Sequence, residues 1–326
     1  MIKEVIENLP GLIHTVEVGA TAQQGGTRSK VIKVGGENAL PFLFKEGKIP
    51  NPPVIAYEIW DIKPADWPQA LGYFYSDVWG DPLEWAEKVV KEYKADLLCL
   101  KLMGAHPELN RDIDEEVKLV ENILKKVNVP LIIIGCGDDA RDNLVLPLCS
   151  QVAKGERCLF GEVTQDNYKT LTAAVLADGH NIIAQSPIDI NIAKQLNILI
   201  SELGLELNRI VINPTVGALG YGLEYTYSIM ERLRLAGLNQ DKTVASPFIG
   251  FAGQESWRAK EARAPESEFP QWGKEGRRGY VWEMVTAATL LLAGTDILVM
   301  RHPQAVEKVK RYIEEFNKDK EGLCLL

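Results

Sequence analysis

Positive charge is scarce in this chain: 36 Lys and Arg stand against 45 Asp and Glu, a formal charge of -9. A balance of that sign gives no pull toward phosphate backbones or an anionic lipid surface, so neither nucleic acid nor a membrane is an expected partner. Thiols are few as well. The five cysteines, Cys99, Cys136, Cys149, Cys158 and Cys324, lie at wide, irregular spacings with no C-x-x-C pair and no His at zinc-finger distance. An iron-sulfur cluster held by this chain alone needs three or four closely grouped thiolates, and that spacing excludes it. Also missing is any apolar run near the ~20 residues a bilayer requires; the longest lies around Ala287 to Ala293. The opening MIKEVIENLPGLI carries acids and has no basic leader, unlike a signal peptide, so a cytoplasmic chain is expected.

What is present is a chain 46% hydrophobic and 25% charged, too apolar for disorder and, at 326 residues, long enough for a large core. From residue 54 onward, short β-branched runs alternate with stretches of helical spacing, the pattern of parallel strands with crossover helices. Strands are expected at Val54 to Trp60, Asp96 to Leu102, Val129 to Cys136, Arg157 to Val163, Asn181 to Ser186, Arg209 to Asn213, more weakly Val244 to Phe251, and Asp296 to Arg301. Between them, Asp81 and Pro82 read as the N-cap and first position of a helix whose buried face is Leu83, Ala86 and Val90. Asp139 opens another toward Val152, and the last helix turns Val306, Val309, Ile313 and Phe316 inward. Eight β-then-α units without a Pro, Gly or Ser-rich linker predict an α/β chain with a closed (β/α)8 TIM barrel over 54–326, in preference to two half-size domains. Residues 1–53 form an N-terminal extension in which Thr15 to Ala20 and Ser29 to Val34 are expected to pair as a hairpin, serving as lid or barrel plug. The polar stretch Gly253 to Arg278, with Trp257 and Trp272, is an oversized insertion of the kind that carries function.

Barrel sites lie at the C-terminal strand ends, which supplies the candidates. They are Glu58 and Asp61, Lys101, Asp138 and Asp139, Glu162, Gln185 and Ser186, Asn213, and Arg301 with His302. Glu58 and Lys101 interrupt apolar strands, where an unpaired charge is costly, so they either pair with each other or face a wet cavity. A structural ion pair is the expectation, and a Schiff-base lysine the competing one. His302, beside Arg301, could help hold an anion. His180, in Asp178-Gly-His-Asn-Ile-Ile, superficially resembles the D-x-H-x-x-G pattern of a cobalamin axial ligand, but Ile183 replaces the glycine and the segment enters a strand at the opposite end of the barrel.

The most distinctive stretch is NPTVGALGYGLEYTYSIMERLR, Asn213 to Arg234. It leaves a buried strand, passes Gly217, Gly220 and Gly222, and enters a helix, with Tyr221, Tyr225 and Tyr227 offering apolar surface with polar tips. Its G-x-x-G-x-G spacing is not a dinucleotide fingerprint. Glycines there suit either a tight barrel loop or close approach of backbone to a ligand.

This stretch, the preceding IPNPPVIAYEIWD (Ile49 to Asp61) and the eight-unit barrel resemble the small subunit of the corrinoid iron-sulfur protein of the acetyl-CoA (Wood-Ljungdahl) pathway, the acetyl-CoA decarbonylase/synthase delta-subunit family. The resemblance spans nearly the whole chain. It implies a heterodimer in which a large subunit carries the four-iron cluster and the corrinoid (cobalamin) domain. The cobalt, as Co(I), would take a methyl group from methyltetrahydrofolate on a separate methyltransferase and pass it to acetyl-CoA synthase. This chain would cap the corrinoid with its barrel mouth and exclude water, holding no metal itself. The residues expected to meet the cofactor are Asp138, Gln185, Ser186, Asn213, Gly217, Gly220, Tyr221 and Arg301. The same barrel type occurs in methyltetrahydrofolate methyltransferases, which read the pterin with Asp and Asn at strand ends. Asp138, Gln185 and Asn213 match that set in part, so a pterin-dependent methyltransferase acting on its own is the alternative. A Schiff-base or metal-dependent enzyme using Glu58 and Lys101 ranks third.

Overall fold

Runs of Ile, Leu and Val with no polar face can form strands only where both sides are covered, and the computed structural model, which describes residues 6–109 and 111–322, covers them in a closed barrel. An N-terminal pair, β1 (Val16–Val18) and β2 (Ile32–Val34), precedes β3 (Val54–Trp60), the short α1 (Gln69–Gly72) and α2 (Pro82–Lys91). Then come β4 (Leu97–Lys101), α3 (Ile113–Lys126), β5 (Leu131–Ile134), α4 (Asp139–Val152), β6 (Leu159–Val163) and α5 (Tyr168–Asp178). They are followed by β7 (Asn181–Gln185), α6 (Ile190–Glu202), β8 (Ile210–Asn213), α7 (Leu223–Leu238) and β9 (Phe248–Gly250). The chain ends through α8 (Ala252–Arg258), α9 (Lys260–Arg263), α10 (Glu275–Ala293), β10 (Thr295–Met300) and α11 (Pro303–Gly322). The eight strands β3 to β10 pair in parallel in sequence order, and β10 closes on β3 with Ile297 opposite Val54.

Local chemistry sets the helix starts. The Asp81 side chain accepts from the backbone N–H of Leu83 at 2.9 Å, with Pro82 in the first turn where its missing N–H costs nothing. Asp138 caps α4 in the same way, accepting from the N–H of Arg141 at 2.8 Å. Tertiary packing adjusts the faces. In α2 the buried residues are Trp85, Ala86 and Val89, one position round from the expected Leu83, Ala86 and Val90 stripe. The reason is the Trp85 ring, which meets Trp67 at 5.5 Å and Tyr75 at 5.3 Å and so fixes the helix rotation. Phe316 of α11 is half-buried against Phe42, 4.6 Å between ring centroids.

Two expectations need correction. The hairpin forms, with Val16 opposite Val34, but of the two roles expected for it, lid or barrel plug, the lid does not hold. Gly19 donates its N–H to the Arg157 carbonyl at 2.9 Å, Ser29 to Asn128 at 2.7 Å, and Asn181 Nδ2 donates to the Glu17 carbonyl at 2.7 Å. All these partners sit where β5, β6 and β7 begin, so the segment closes the floor. Gly19 has φ +91°, and a Cβ there would lie 2.7 Å from Pro130 Cγ, which only glycine avoids. Arg28 anchors the same floor, its guanidinium on Glu156 at 2.7 Å and on the carbonyls of Leu124, in the last turn of α3, at 2.6 Å and of Val127, which caps it, at 2.7 Å. The second correction concerns residues 253–278. They are largely helical, as α8, α9, a turn of tighter helix at Pro270–Trp272 and the start of α10. The seventh strand is correspondingly short, because Val244 and Ala245 are buried beside the ladder without joining it.

Candidate functional site

At the end of β10, Arg301 is buried at 3% exposure, and its Nη2 donates to Glu58 Oε1 at 2.6 Å. Its guanidinium lies over Trp67 at 4.9 Å and Trp60 at 5.6 Å, so the planar group is held between an acid and two aromatic faces. Trp60 Nε1 donates to the same Glu58 oxygen at 2.6 Å. Burial by itself would raise the Glu58 carboxyl, but the charges of Arg301 and Lys101 and these hydrogen bonds outweigh it and hold the group below its ordinary value. The backbone beneath is fixed by Glu283 of α10, which accepts from the Arg301 N–H at 2.6 Å, the His302 N–H at 3.1 Å and Trp257 Nε1 at 2.7 Å. Burial pushes Glu283 up to about 7 despite these donors.

The expected Glu58–Lys101 pair is therefore corrected: Arg301 is the ionic partner of Glu58. Lys101 Nζ instead donates to Gln254 Oε1, 2.5 Å away on α8, a residue inside the stretch set aside as an insertion. Lys101, Gln254 and Arg301 border a cleft of about 460 Å³ between the ends of β3, β4 and β10 and helix α8. Ile62, Met103 and Leu109 supply apolar wall, Trp60 a flat one. The loop carrying Met103 is pinned by Asp61, which accepts the N–H groups of Met103 and Gly104, each at 2.7 Å.

Across the mouth, Glu162 of β6 and Asn213 of β8 meet, Asn213 Nδ2 donating to Glu162 Oε1, and Asn213 Oδ1 accepts from the Thr215 N–H at 3.0 Å. Burial raises the Glu162 carboxyl against the opposing charge of Lys101. Gln185 is half-buried at the end of β7, and the neighbouring Ser186 hydroxyl is buried with no partner among the described residues. Asp138 caps α4, while Asp139 accepts from Asn167 Nδ2 at 2.7 Å. Sequence reasoning missed Asp142, which accepts the N–H groups of Cys136 at 2.8 Å and Gly137 at 3.0 Å and so ties the end of β5 to α4. An Asp four residues after a strand's closing Gly-Asp turn was the only signal for it.

The glycine loop after β8 is stitched to itself. Gly217 donates its N–H to Thr226 Oγ1 at 2.8 Å, and a Cβ on Gly217 would sit 2.6 Å from the Tyr221 carbonyl oxygen. Gly220 has φ +77°, and a Cβ there would touch the Trp282 ring at 3.8 Å; Gly222, at φ +89°, precedes α7. Tyr221, half-exposed, donates its hydroxyl to Glu261 Oε2 at 2.9 Å on α9, joining this loop to the helical insertion. Tyr225 is exposed. Of the eight residues named for a ligand, Gln185, Ser186, Asn213 and Arg301 end barrel strands at one mouth. Gly217, Gly220 and Tyr221 form its rim, and Asp138 is committed to a helix cap.

The histidines stand apart. His302 is packed against Phe74 at 4.6 Å, Tyr280 at 5.3 Å and Trp257 at 5.8 Å, and burial lowers it to about 4, so it sits among these rings as a neutral imidazole. His180 has both ring nitrogens engaged, with the Cys158 N–H at 3.1 Å and the Ser150 carbonyl at 3.0 Å. Cys99, Cys136, Cys149 and Cys158 are buried and free, and Cys324 lies outside the described residues. Among the described residues no group of three or more His, Cys, Asp or Glu is arranged to hold a metal, and no helix is long and apolar enough to cross a membrane.

Residues 16–310 match the profile of a family described as the CO dehydrogenase/acetyl-CoA synthase delta subunit. The acetyl-CoA decarbonylase/synthase complex subunit delta of Methanocaldococcus jannaschii is 38% identical over 307 residues, covering 94% of this chain and 74% of that protein. The subunit of the same name from Archaeoglobus fulgidus is 38% identical over 317 residues, 95% of this chain and 69% of that one. Among solved structures, dihydropteroate synthase from Coxiella burnetii in complex with pteroic acid superposes with a TM-score of 0.56 at 13% identity, covering 94% of this chain and 99% of that one. The Xanthomonas albilineans dihydropteroate synthase gives a TM-score of 0.55 at 11% identity over 86% and 99% of the two chains. At such identities the likeness is one of barrel fold.

Proposed function

The chain belongs to the CO dehydrogenase/acetyl-CoA synthase delta subunit family, and from that membership we propose that it is the barrel subunit of a heterodimeric methyl carrier, its mouth covering a corrinoid held mainly by a larger partner. The observation that carries this reading is the Ser186 hydroxyl, buried at the exit of β7 with no hydrogen-bond partner among the described residues, beside the half-buried Gln185 amide. Corrin edges bear amide side chains that both donate and accept, and a hydroxyl next to an amide is a donor set that fits them. When bound, such a group supplies a cobalt nucleophile for methyl transfer from methyltetrahydrofolate, on a methyltransferase, toward acetyl-CoA synthase.

The chain's own residues have three tasks. Gln185 and Ser186 would hold amide groups at the edge, with the Gly217–Tyr221 rim contributing backbone contacts. Tyr221 and Tyr225 would close the rim and keep water out. The Glu58–Arg301 and Glu162–Asn213 pairs would keep the mouth rigid beneath, as positioning residues. The pterin reading is disfavoured by the same geometry, since Asp138 is spent on a helix cap and Asn213 on Glu162.

The test is isolation of the chain from native extract under anaerobic conditions. A one-to-one complex with a cobalt- and iron-containing partner is expected, with methyl transfer to acetyl-CoA synthase lost when the chain is omitted from reconstitution. A chain that isolates alone and binds methyltetrahydrofolate at low-micromolar affinity would overturn the proposal in favour of a methyltransferase.

A further inference from the structure

The loop that leaves β4 is held by one of two carboxyls that crowd the same glycine. Asp61, just past β3, accepts the N–H groups of Met103 and Gly104, each at 2.7 Å. Glu116, in the first turn of α3, reaches the same spot from the other side of the loop. A Cβ on Gly104 would lie 2.5 Å from Asp61 Oδ2 and 2.8 Å from Glu116 Oε1, so only glycine fits against the pair. Both acids are buried, at 2% and 0% exposure. Asp61 has backbone donors for its two oxygens, whereas neither oxygen of Glu116 has a hydrogen-bond partner among the described residues. The cation nearby serves neither well. Arg111 Nη1 is 3.8 Å from Asp61 Oδ2 and its Nε 3.7 Å from Glu116 Oε1, too far for hydrogen bonds, and that Nε donates to the exposed Glu115 at 3.1 Å. The other polar groups around the pair are engaged elsewhere. Asp112 caps α3, and Arg141 of α4 gives its guanidinium to the carbonyls of Ala105 at 3.0 Å and Arg111 at 2.5 Å. Cys149, also on α4, is a buried thiol pushed up by its burial and by the charge of Glu116. A single proton relieves this arrangement: Glu116 as the acid donates to Asp61, and both groups then have a partner.

We propose that Asp61 and Glu116 share one proton, and that this proton is a pH-sensitive clasp on the 103–109 loop at the barrel mouth. With the proton in place the loop lies closed; when it is lost in mild alkali, two charges face each other beside Gly104 and the loop lets go. The loop is the part that yields, because Asp61 follows a barrel strand and Glu116 belongs to a helix. What holds the loop is a handful of bonds: the two to Asp61, the Arg111 N–H on the Gly104 carbonyl at 3.1 Å, and the Arg141 contact with Ala105. Met103 and Leu109 of this loop wall the cleft beside Trp60 and Lys101, so its release opens that side of the mouth. Burial and the Asp61 charge push Glu116 up to about 8. A carboxyl raised in the fold contributes its stability while protonated and loses it as pH rises through the raised value, which sets the release near that pH. The clasp belongs to this chain alone and does not depend on the corrinoid reading, so either can fail without the other.

Amide hydrogen exchange of the full chain, corrected for the intrinsic pH dependence of exchange, tests it. Protection of Met103 and Gly104 should fall at least tenfold between about pH 6 and about pH 9, either side of the raised Glu116 value. Glu116→Gln keeps a donor toward Asp61 and has no proton to lose, so its protection should stay level over the same range. Glu116→Met, apolar and of similar volume, is the second variant and should also be level with pH. Glu37→Gln, which removes a raised carboxyl paired with Arg234, should leave the fall at Met103 and Gly104 intact, because the opening is local. Wild-type protection that is flat with pH would overturn the proposal. So would a fall that persists in either folded Glu116 variant, or one that Glu37→Gln abolishes as fully as Glu116→Gln does, since the opening would then be global.

Discussion

Replacing Arg301 by Met keeps most of the side-chain volume and removes one charge from a pair that is closed at 2.6 Å with side chains 4% and 0% exposed. Left behind is a Glu58 carboxylate with no guanidinium, its Oε2 without a partner among the described residues and its Oε1 held by Trp60. Breaking one side of a buried pair costs about 3–5 kcal/mol, and the lost stacking on Trp60 and Trp67 adds about 0.5–2 kcal/mol. Met fills the space, so little of the loss is a cavity effect. The pH dependence carries the sharper signature. In the parent protein Glu58 sits below its ordinary value of 4.5, so its contribution to stability is present above that value and is lost as pH falls through the lowered one. Without Arg301, burial dominates and raises the group. Its protonated form is then favoured in the fold, and stability is lost as pH rises. The deficit of Arg301→Met should therefore be largest at neutral pH and shrink in mild acid. Urea unfolding followed by circular dichroism measures this at both conditions. The double variant Glu58→Gln/Arg301→Met, with no charge to strand, should recover most of the loss at neutral pH. A single-variant loss below about 1 kcal/mol, the size of an exposed pair, or a double variant as unstable as the sum of its parts, would refute the assignment of this pair as the braced centre of the mouth.

Three further outcomes are expected. Burial holds Glu37 at about 7, Glu283 at about 7 and, with the Asp61 charge beside it, Glu116 at about 8, all above the ordinary 4.5. Raised carboxyls favour the fold when protonated, so stability should decline as pH climbs from about 4.5 to about 8, and denaturant midpoints for Glu116→Gln should show a shallower decline. Gly220→Val places a branched residue at φ +77° beside the Trp282 ring, a cost of about 1–3 kcal/mol from backbone strain; the variant should keep its circular dichroism spectrum yet associate more weakly with the partner subunit by light scattering. The isolated chain, incubated with iron and sulfide under reducing conditions and desalted, should show no charge-transfer absorbance, because its described cysteines are buried and form no ligand group.

Much of the barrel is written in local chemistry. The run VIAYEIW is strand β3 from end to end, because seven residues of that kind bounded by prolines before and a turn after have one outcome in a parallel sheet. Asp81-Pro82 and Asp138-Asp139 announce their helices through N–H groups that the side chain itself satisfies. Legibility falls off where an element depends on distant neighbours. Strand β9 keeps only Phe248–Gly250 of the longer run around it, since strand length there is set by what β8 and β10 offer for pairing. The 253–278 stretch reads as polar loop because its helices bury only one narrow side, against α10 and the mouth, and its mean composition stays charged.

The candidate site divides along the same line. Which residue types stand at the strand ends follows from sequence alone: alternation places the strands, and the barrel's geometry makes their C-terminal ends a shared face, so Glu58, Lys101, Glu162, Gln185, Asn213 and Arg301 could be named in advance. Who pairs with whom could not. Glu58 and Lys101 lie on adjacent strands, yet Glu58 takes Arg301, 243 positions away, and Lys101 takes Gln254, 153 positions away. Charges in an apolar barrel choose partners by which donor can be desolvated with its hydrogen bonds met. Planar Arg301, stacked on Trp60 and Trp67, meets that condition at Glu58, while flexible Lys101 can reach outward to the cleft. That choice depends on where eight strands and a distant helix place a few atoms, and only the closed tertiary structure decides it.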